Sequence, residues 1–165
     1  MDVTRRRFVI AGSMTALSMI AVNACAGRAS SAPPERQFAV THSDAQWRKL
    51  LTPSQYDVLR DAGTEVPYSS PLNDEHRHGV FSCAGCALDL YSSDTKFDSG
   101  TGWPSFWKPL DHAVVERADS SLGMSRTEVL CNQCGGHLGH VFDDGPQPTG
   151  LRYCMNGVAM VFRTL

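Results

Sequence analysis

From Gly79 onward the chain alternates short apolar runs with polar breaks. Runs at Val80–Ser82, Val114–Arg117, Thr127–Leu130, His140–Phe142, Leu151–Asn156 and Val158–Arg163 are parted by clusters such as Asp143-Asp144-Gly145-Pro146. Short β-prone runs with turn residues between them predict an antiparallel β body. Asn156-Gly157, flanked by two of the runs, predicts a hairpin turn. Ahead of them the period is helical. Thr52 can cap, Pro53 suits a first turn and Gln55 completes a capping box, while Tyr56, Leu59 and Ala62 recur along one face and Gly63 offers a stop. A shorter helix is expected from Asp44 to Leu51. The expected fold is mainly β with short N-terminal helices.

The first residues read as an address rather than as fold. Thr4-Arg5-Arg6-Arg7 precede an apolar run from Phe8 to Ala26 that is diluted by Gly12, Ser13, Thr15, Ser18 and Asn23. A basic start, a moderate apolar stretch and small residues at Ala24 and Ala26 predict an export signal over residues 1–26. The arginines with Phe8 resemble a twin-arginine (Tat) signal. A membrane anchor is the alternative, which the small and polar residues make a poor one. Val22-Asn23-Ala24-Cys25 also resembles a lipoprotein box, with Asn23 an awkward fit, so a lipid anchor at Cys25 is a second outcome. Residues 27–43, through Ser30-Ser31-Ala32-Pro33-Pro34, lack an apolar period and read as a linker. The working domain is then 44–165, exported and expected in the periplasm.

Composition narrows the function classes. A chain of 165 residues suits one domain with its own core, and a 42% hydrophobic content excludes wholesale disorder. The net charge is −2, and without residues 1–26 the count is 12 basic against 16 acidic residues. That balance argues against a nucleic-acid partner.

Cysteine spacing supplies the first chemistry. Cys83-Ala84-Gly85-Cys86 and Cys131-Asn132-Gln133-Cys134 repeat one C-x-x-C pattern. A two-residue spacer lets both thiolates reach one ion, and two such knuckles make a tetrahedral sulfur shell suited to zinc. A closed four-sulfur site would be structural. Two disulfides, or one redox-active pair beside an idle one, are the alternatives in an oxidising compartment.

With Cys25 in the signal, Cys154 is left over. On a strand, Arg152, Cys154 and Asn156 would share one face. A cation two positions away would lower the thiol pKa and favour thiolate. Asn156 would orient an oxygen or a histidine by hydrogen bonding. A buried, inert cysteine is the plainer reading. His137 and His140 are candidate proton donors or surface histidines, and Gly102-Trp103-Pro104-Ser105-Phe106-Trp107 is a candidate aromatic pocket wall.

Several long motifs resemble the methionine sulfoxide reductase B family. They include Leu51-Thr52-Pro53-Ser54-Gln55-Tyr56, Lys96-Phe97-Asp98-Ser99-Gly100-Thr101-Gly102-Trp103-Pro104-Ser105-Phe106, His137-Leu138-Gly139-His140-Val141-Phe142-Asp143-Asp144-Gly145-Pro146 and Thr149-Gly150-Leu151-Arg152-Tyr153-Cys154-Met155-Asn156. The resemblance spans about Trp47 to Phe162. It implies two twisted antiparallel sheets, in a tent or barrel-like arrangement, with a zinc clip. It implies Cys154 as catalytic cysteine, zinc on Cys83, Cys86, Cys131 and Cys134, and a substrate pocket that includes Trp103, His137, His140, Phe142, Arg152 and Asn156. The implied activity is reduction of methionine (R)-S-oxide, free or in proteins, through a Cys154 sulfenic acid.

One departure changes the implied chemistry. Many members of that family carry a resolving cysteine just before Gly-Trp-Pro-Ser-Phe, where this chain has Thr101. Regeneration by an outside thiol, small or thioredoxin-like, is therefore expected. A non-catalytic zinc-clipped β binding module and a disulfide oxidoreductase using one C-x-x-C are the rival readings.

Overall fold

A computed structural model of the chain describes residues 36–123 and 125–165. The expected export signal, Cys25 and most of the linker lie outside the described residues.

Two capped helices open this part. Helix α1 spans Asp44–Leu50 and α2 spans Pro53–Asp61. In α1, Ser43 N–H donates to Gln46 Oε1 at 2.8 Å and Gln46 N–H to Ser43 Oγ at 3.4 Å. In α2, Thr52 and Gln55 exchange the same pair at 3.0 and 3.2 Å, as expected from the sequence. The buried face of α2 is Tyr56, Val58 and Leu59 rather than one that ends on Ala62. Ala62 is exposed and takes the left-handed cap itself, with φ 54°. Gly63 follows in close contact with Asp57, where a Cβ would stand 2.3 Å from Oδ2. No helix among the described residues is long and apolar enough to cross a membrane.

Nine strands follow: β1 Gly79–Cys83, β2 Asp89–Ser92, β3 Lys96–Phe97, β4 Ser105–Phe106, β5 Val114–Asp119, β6 Arg126–Cys131, β7 His137–Phe142, β8 Arg152–Met155 and β9 Met160–Thr164. They form two antiparallel sheets, of order β2-β1-β9 and β3-β4-β8-β7-β6-β5. The mainly β, two-sheet fold is as expected. Aromatic packing joins the sheets. Phe106 of β4 stacks on Tyr91 of β2 with centroids 4.3 Å apart and meets the edge of Phe81 of β1 at 4.9 Å. All three are fully buried, and each such ring stabilises by about 1.5–3 kcal/mol through burial.

The expected Asn156-Gly157 hairpin is absent. Strand β8 pairs with β4 and β7, whereas β9 pairs with β1 in the other sheet. A two-residue hairpin of this type needs positive φ at its first central residue. Asn156 instead has φ −66° and leads into a 3-10 turn, Gly157–Ala159, that carries the chain across.

Candidate active site and metal centre

The two knuckles fold alike. Ala87 N–H donates to Cys83 O at 2.8 Å and Gly135 N–H to Cys131 O at 2.9 Å, with φ 60° and 68° at the two donors. The turns bring Cys83, Cys86, Cys131 and Cys134 together, with all four Sγ atoms within 4.8 Å of one another. Cys83–Cys134 and Cys86–Cys131 lie 3.8 and 3.5 Å apart. Four sulfurs about 2.3 Å from a tetrahedral zinc would be separated by about 3.8 Å, so the donor set fits that ion. Close Sγ contacts cross between knuckles, and all four thiols are free, which argues against a disulfide within either C-x-x-C. Trp47 and Leu59 lie over Gly85, and Arg60 donates to Cys134 O at 3.1 Å. Val40 N–H, in the span read as linker, donates to Gln133 O at 2.9 Å.

Cys154 lies mid-sheet. Its cross-strand partners are Ser105 on β4 and His140 on β7, and His140 is in turn paired with Glu128 on β6. Directly opposed residues share a sheet face, so Ser105, Cys154, His140 and Glu128 form one polar row. Arg152 and Phe142 are the next opposed pair on that face, with the guanidinium 4.4 Å from the ring centroid. The Trp103 loop is fastened beside the thiol by Met155 N–H donating to Pro104 O at 2.9 Å.

Strand alternation would put His137 and His140 on opposite faces. A bulge corrects this: Val129 pairs with Gly139 and Leu130 with His137, so Leu138 is the extra residue. The two imidazoles end 5.4 Å apart. Gly139 is required, because a Cβ there would stand 2.1 Å from Cys154 O. The Leu138 carbonyl accepts from both Asn156 N–H (2.8 Å) and Asn156 Nδ2 (3.1 Å). Asn156 Oδ1 accepts the Glu65 N–H at 3.0 Å. These bonds lead into the scaffold, so buried Asn156 holds the histidine bulge rather than reaching toward an imidazole or the thiol.

Four hydrogen bonds converge on Glu65, a residue that the sequence reading does not single out, the first being its N–H to Asn156 Oδ1. Its carbonyl accepts from Trp103 Nε1 at 3.1 Å, and its carboxylate accepts from Gly157 and Val158 N–H at 2.6 and 2.9 Å. Two of those four use its main chain, which no residue pattern reveals.

Electrostatics divide the histidines. His137 is buried and its Nδ1–H donates to Glu128 Oε1 at 2.7 Å; burial pulls its pKa below the usual value. Its Nε2 has no hydrogen-bond partner among the described residues. His140 Nε2 lies 2.9 Å from Asp119 Oδ2, which also takes Arg126 at 2.8 Å. Hydrogen bonds from Ser121, then His140, hold the Asp119 carboxyl well below the usual range.

The thiol itself differs from expectation. Burial pushes Cys154 up, against the pull of Thr101 and Arg152. Arg152 is weakened as an activator because Asp144 takes it with two bonds of 2.8 Å. Sγ meets Thr101 Oγ1 at 3.8 Å, and Arg152 and Ser105 also act on it.

A part-buried thiol with a serine and a histidine as cross-strand partners thus sits in a β body that also gathers four further cysteines. Residues 51–164 match the SelR domain. The chain is 53% identical over 127 residues to the peptide methionine sulfoxide reductase MsrB of Leptospira interrogans, covering 76% of this chain and 97% of that protein. With that of Agrobacterium fabrum it shares 56% over 124 residues, or 74% and 92% of the two chains. With that of Methanosarcina barkeri it shares 54% over 129 residues, or 78% and 91%. The chain belongs to the methionine sulfoxide reductase B family and is an oxidoreductase that reduces methionine sulfoxide.

Proposed function

We propose that this chain reduces the R epimer of methionine S-oxide, free or in proteins, through a Cys154 sulfenic acid that an outside thiol then reduces. The observation that carries the reading is the cross-strand row of Ser105, Cys154 and His140. Cys154 sulfur attacks the sulfoxide sulfur, the S–O bond breaks, oxygen and its proton end on Cys154 as sulfenic acid, and methionine leaves. The sulfoxide gains two electrons and the thiol loses two. His140, paired with Asp119, is the proton source for the sulfoxide oxygen. His137, held neutral by burial, offers an acceptor instead. Trp103 packs the S-methyl group, with a sulfur–aromatic contact of about 0.3–1.5 kcal/mol, and Phe142 with Arg152 closes one side of the pocket.

Recycling needs two equivalents of thiol. The first condenses with the sulfenic acid, releasing water and leaving a mixed disulfide; the second releases Cys154 and an oxidised disulfide. The contact at Thr101 supports an outside donor, small or thioredoxin-like, because a hydroxyl stands beside Cys154 where a resolving thiol would be needed. One zinc on the four clip cysteines would supply stability and no chemistry to the substrate. Residues 1–26 serve as a twin-arginine export signal and 27–43 as a linker to the domain at 44–165. The enzyme works in the periplasm, free or lipid-anchored through Cys25.

Single turnover with separated R and S sulfoxides and no reductant tests the chemistry. Mass spectrometry should show one added oxygen on Cys154 with the R epimer, and Cys154→Ser should be inactive. An intramolecular disulfide at Cys154 would sink the one-cysteine scheme. Cell fractionation and N-terminal sequencing of the mature chain test the address.

A further inference from the structure

We propose that Ser105, Ser99 and Thr101 form a hydroxyl relay that ends on the Cys154 sulfur and reverses direction with the charge on that sulfur. The proposal rests on the reading of Cys154 as the reacting thiol and assigns three residues to its control.

The links are continuous. Ser105 Oγ lies 3.1 Å from Trp103 O, Ser99 Oγ 2.7 Å from Ser105 Oγ, Thr101 Oγ1 2.8 Å from Ser99 Oγ, and Cys154 Sγ 3.8 Å from Thr101 Oγ1. A hydroxyl has one proton to donate and two lone pairs. The direction of the first bond therefore fixes the others. A carbonyl only accepts, so Ser105 donates to Trp103 O. Ser99 then donates to Ser105, and Thr101 donates to Ser99. Thr101 oxygen is left as an acceptor, and the Cys154 S–H is the donor that fits it. The resting relay thus favours the thiol, in the same direction as its burial.

Once the sulfur is anionic the demand inverts, because an anion needs donors. Thr101 turns its O–H to Cys154, Ser99 turns to Thr101, and Ser105 turns to Ser99. Only three O–H bonds rotate and no proton changes owner along the relay. The bond given up is Ser105 to the Trp103 carbonyl, in the loop that carries the aromatic wall. Ser105 is fully buried and fixed as the cross-strand partner of Cys154, so the relay is anchored at its far end.

Other charged groups around the thiol are few. Arg152 shares its strand and is held by Asp144; His140 faces it from β7 and is held by Asp119. Strand β4 presents Ser105, and the loop before it brings Asp98, whose carboxylate accepts the Gly100 N–H at 2.9 Å. All remain in place in the variants below.

The test is the pH dependence of iodoacetamide alkylation at Cys154, followed on its own peptide by mass spectrometry, with the full zinc-loaded chain and no sulfoxide. Thr101→Val keeps the shape and removes the donor. Its profile should move to higher pH, with alkylation about tenfold slower below the midpoint, which is about one unit of pKa. Thr101→Ser should restore a profile close to wild type. Ser99→Ala removes the competing acceptor for the Thr101 proton, so its profile should move the opposite way, to lower pH. A Thr101→Val profile that superimposes on wild type, a Thr101→Ser that fails to restore it, or a Ser99→Ala that shifts upward would each overturn the relay. Alkylation needs no sulfoxide, so loss of the reductase reading and loss of the relay are told apart.

Discussion

Trp103 Nε1 donates to the Glu65 carbonyl at 3.1 Å, and the Glu65 carboxylate is itself pinned by the N–H groups of Gly157 and Val158. The indole proposed as the aromatic wall of the substrate pocket is thereby fixed from a segment far away in sequence. If Trp103 packs the substrate's methyl group as proposed, a loose indole would contact it less well, because positioning over a ring is sensitive to small displacements.

Glu65→Ala should therefore act on two quantities. Losing acceptors for two N–H groups should cost about 1–3 kcal/mol of stability, read as a lower urea midpoint. The KM for a sulfoxide peptide should rise toward that of Trp103→Ala, with a smaller change in kcat. A stability loss with KM unchanged would show that Glu65 supports the fold without positioning Trp103.

His137 should make stability fall on mild acidification. Its folded pKa is depressed by burial, so below the ordinary value of 6.5 the unfolded chain binds a proton that the fold resists. The contribution is fully present above the unfolded pKa and is lost as pH falls through and below it. Urea midpoints at about pH 7.5 and about pH 5.5 should differ more in wild type than in His137→Gln, which cannot titrate. Equal differences would remove His137 as the cause.

A zinc ion on the four cysteines would tie the two sheets, since Cys83 ends β1 in one and Cys131 ends β6 in the other. Elemental analysis should find one zinc per chain, and Cys131→Ser should lose it. Unfolding stability should fall by an amount on the order of several kcal/mol, as for other structural zinc sites. A Cys131→Ser chain that keeps both its metal and its wild-type melting temperature would contradict the four-sulfur site.

What the sequence made legible follows from what periodicity and spacing encode. The paired C-x-x-C spacing is local, so the clip could be read before any fold was known. The capping boxes at Ser43 and Thr52 are local too, although only the second was foreseen. Strands β3 and β4 are two residues each and too short to show a period. The Asn156-Gly157 pair carries a hairpin signal, but Phe81 of β1 and Phe162 of β9 pair across the other sheet, and that long-range packing overrides the local turn preference. Strand alternation puts Arg152 on the face of Cys154, but neither Asp144 beside it nor the burial of the thiol is legible in the sequence, and both oppose the activation expected from the cation.

Gly139→Ala offers the sharpest check on the site geometry. The added methyl would stand 2.1 Å from Cys154 O and 2.9 Å from Met155 Cε, so β7 and β8 must separate at the point where His140 opposes Cys154. Relief by side-chain motion is closed, since the first obstacle is backbone. The expected cost is about 3 kcal/mol, at the upper end for an overpacked position, together with a fall in kcat beyond what the folded fraction explains. Gly150→Ala is the control: its φ of 73° imposes strain, yet a Cβ there meets nothing within 4 Å. That variant should lose about 1 kcal/mol and keep its kcat. If Gly139→Ala loses stability but its folded fraction turns over at the wild-type rate, the opposition of His140 and Cys154 does not govern the chemistry.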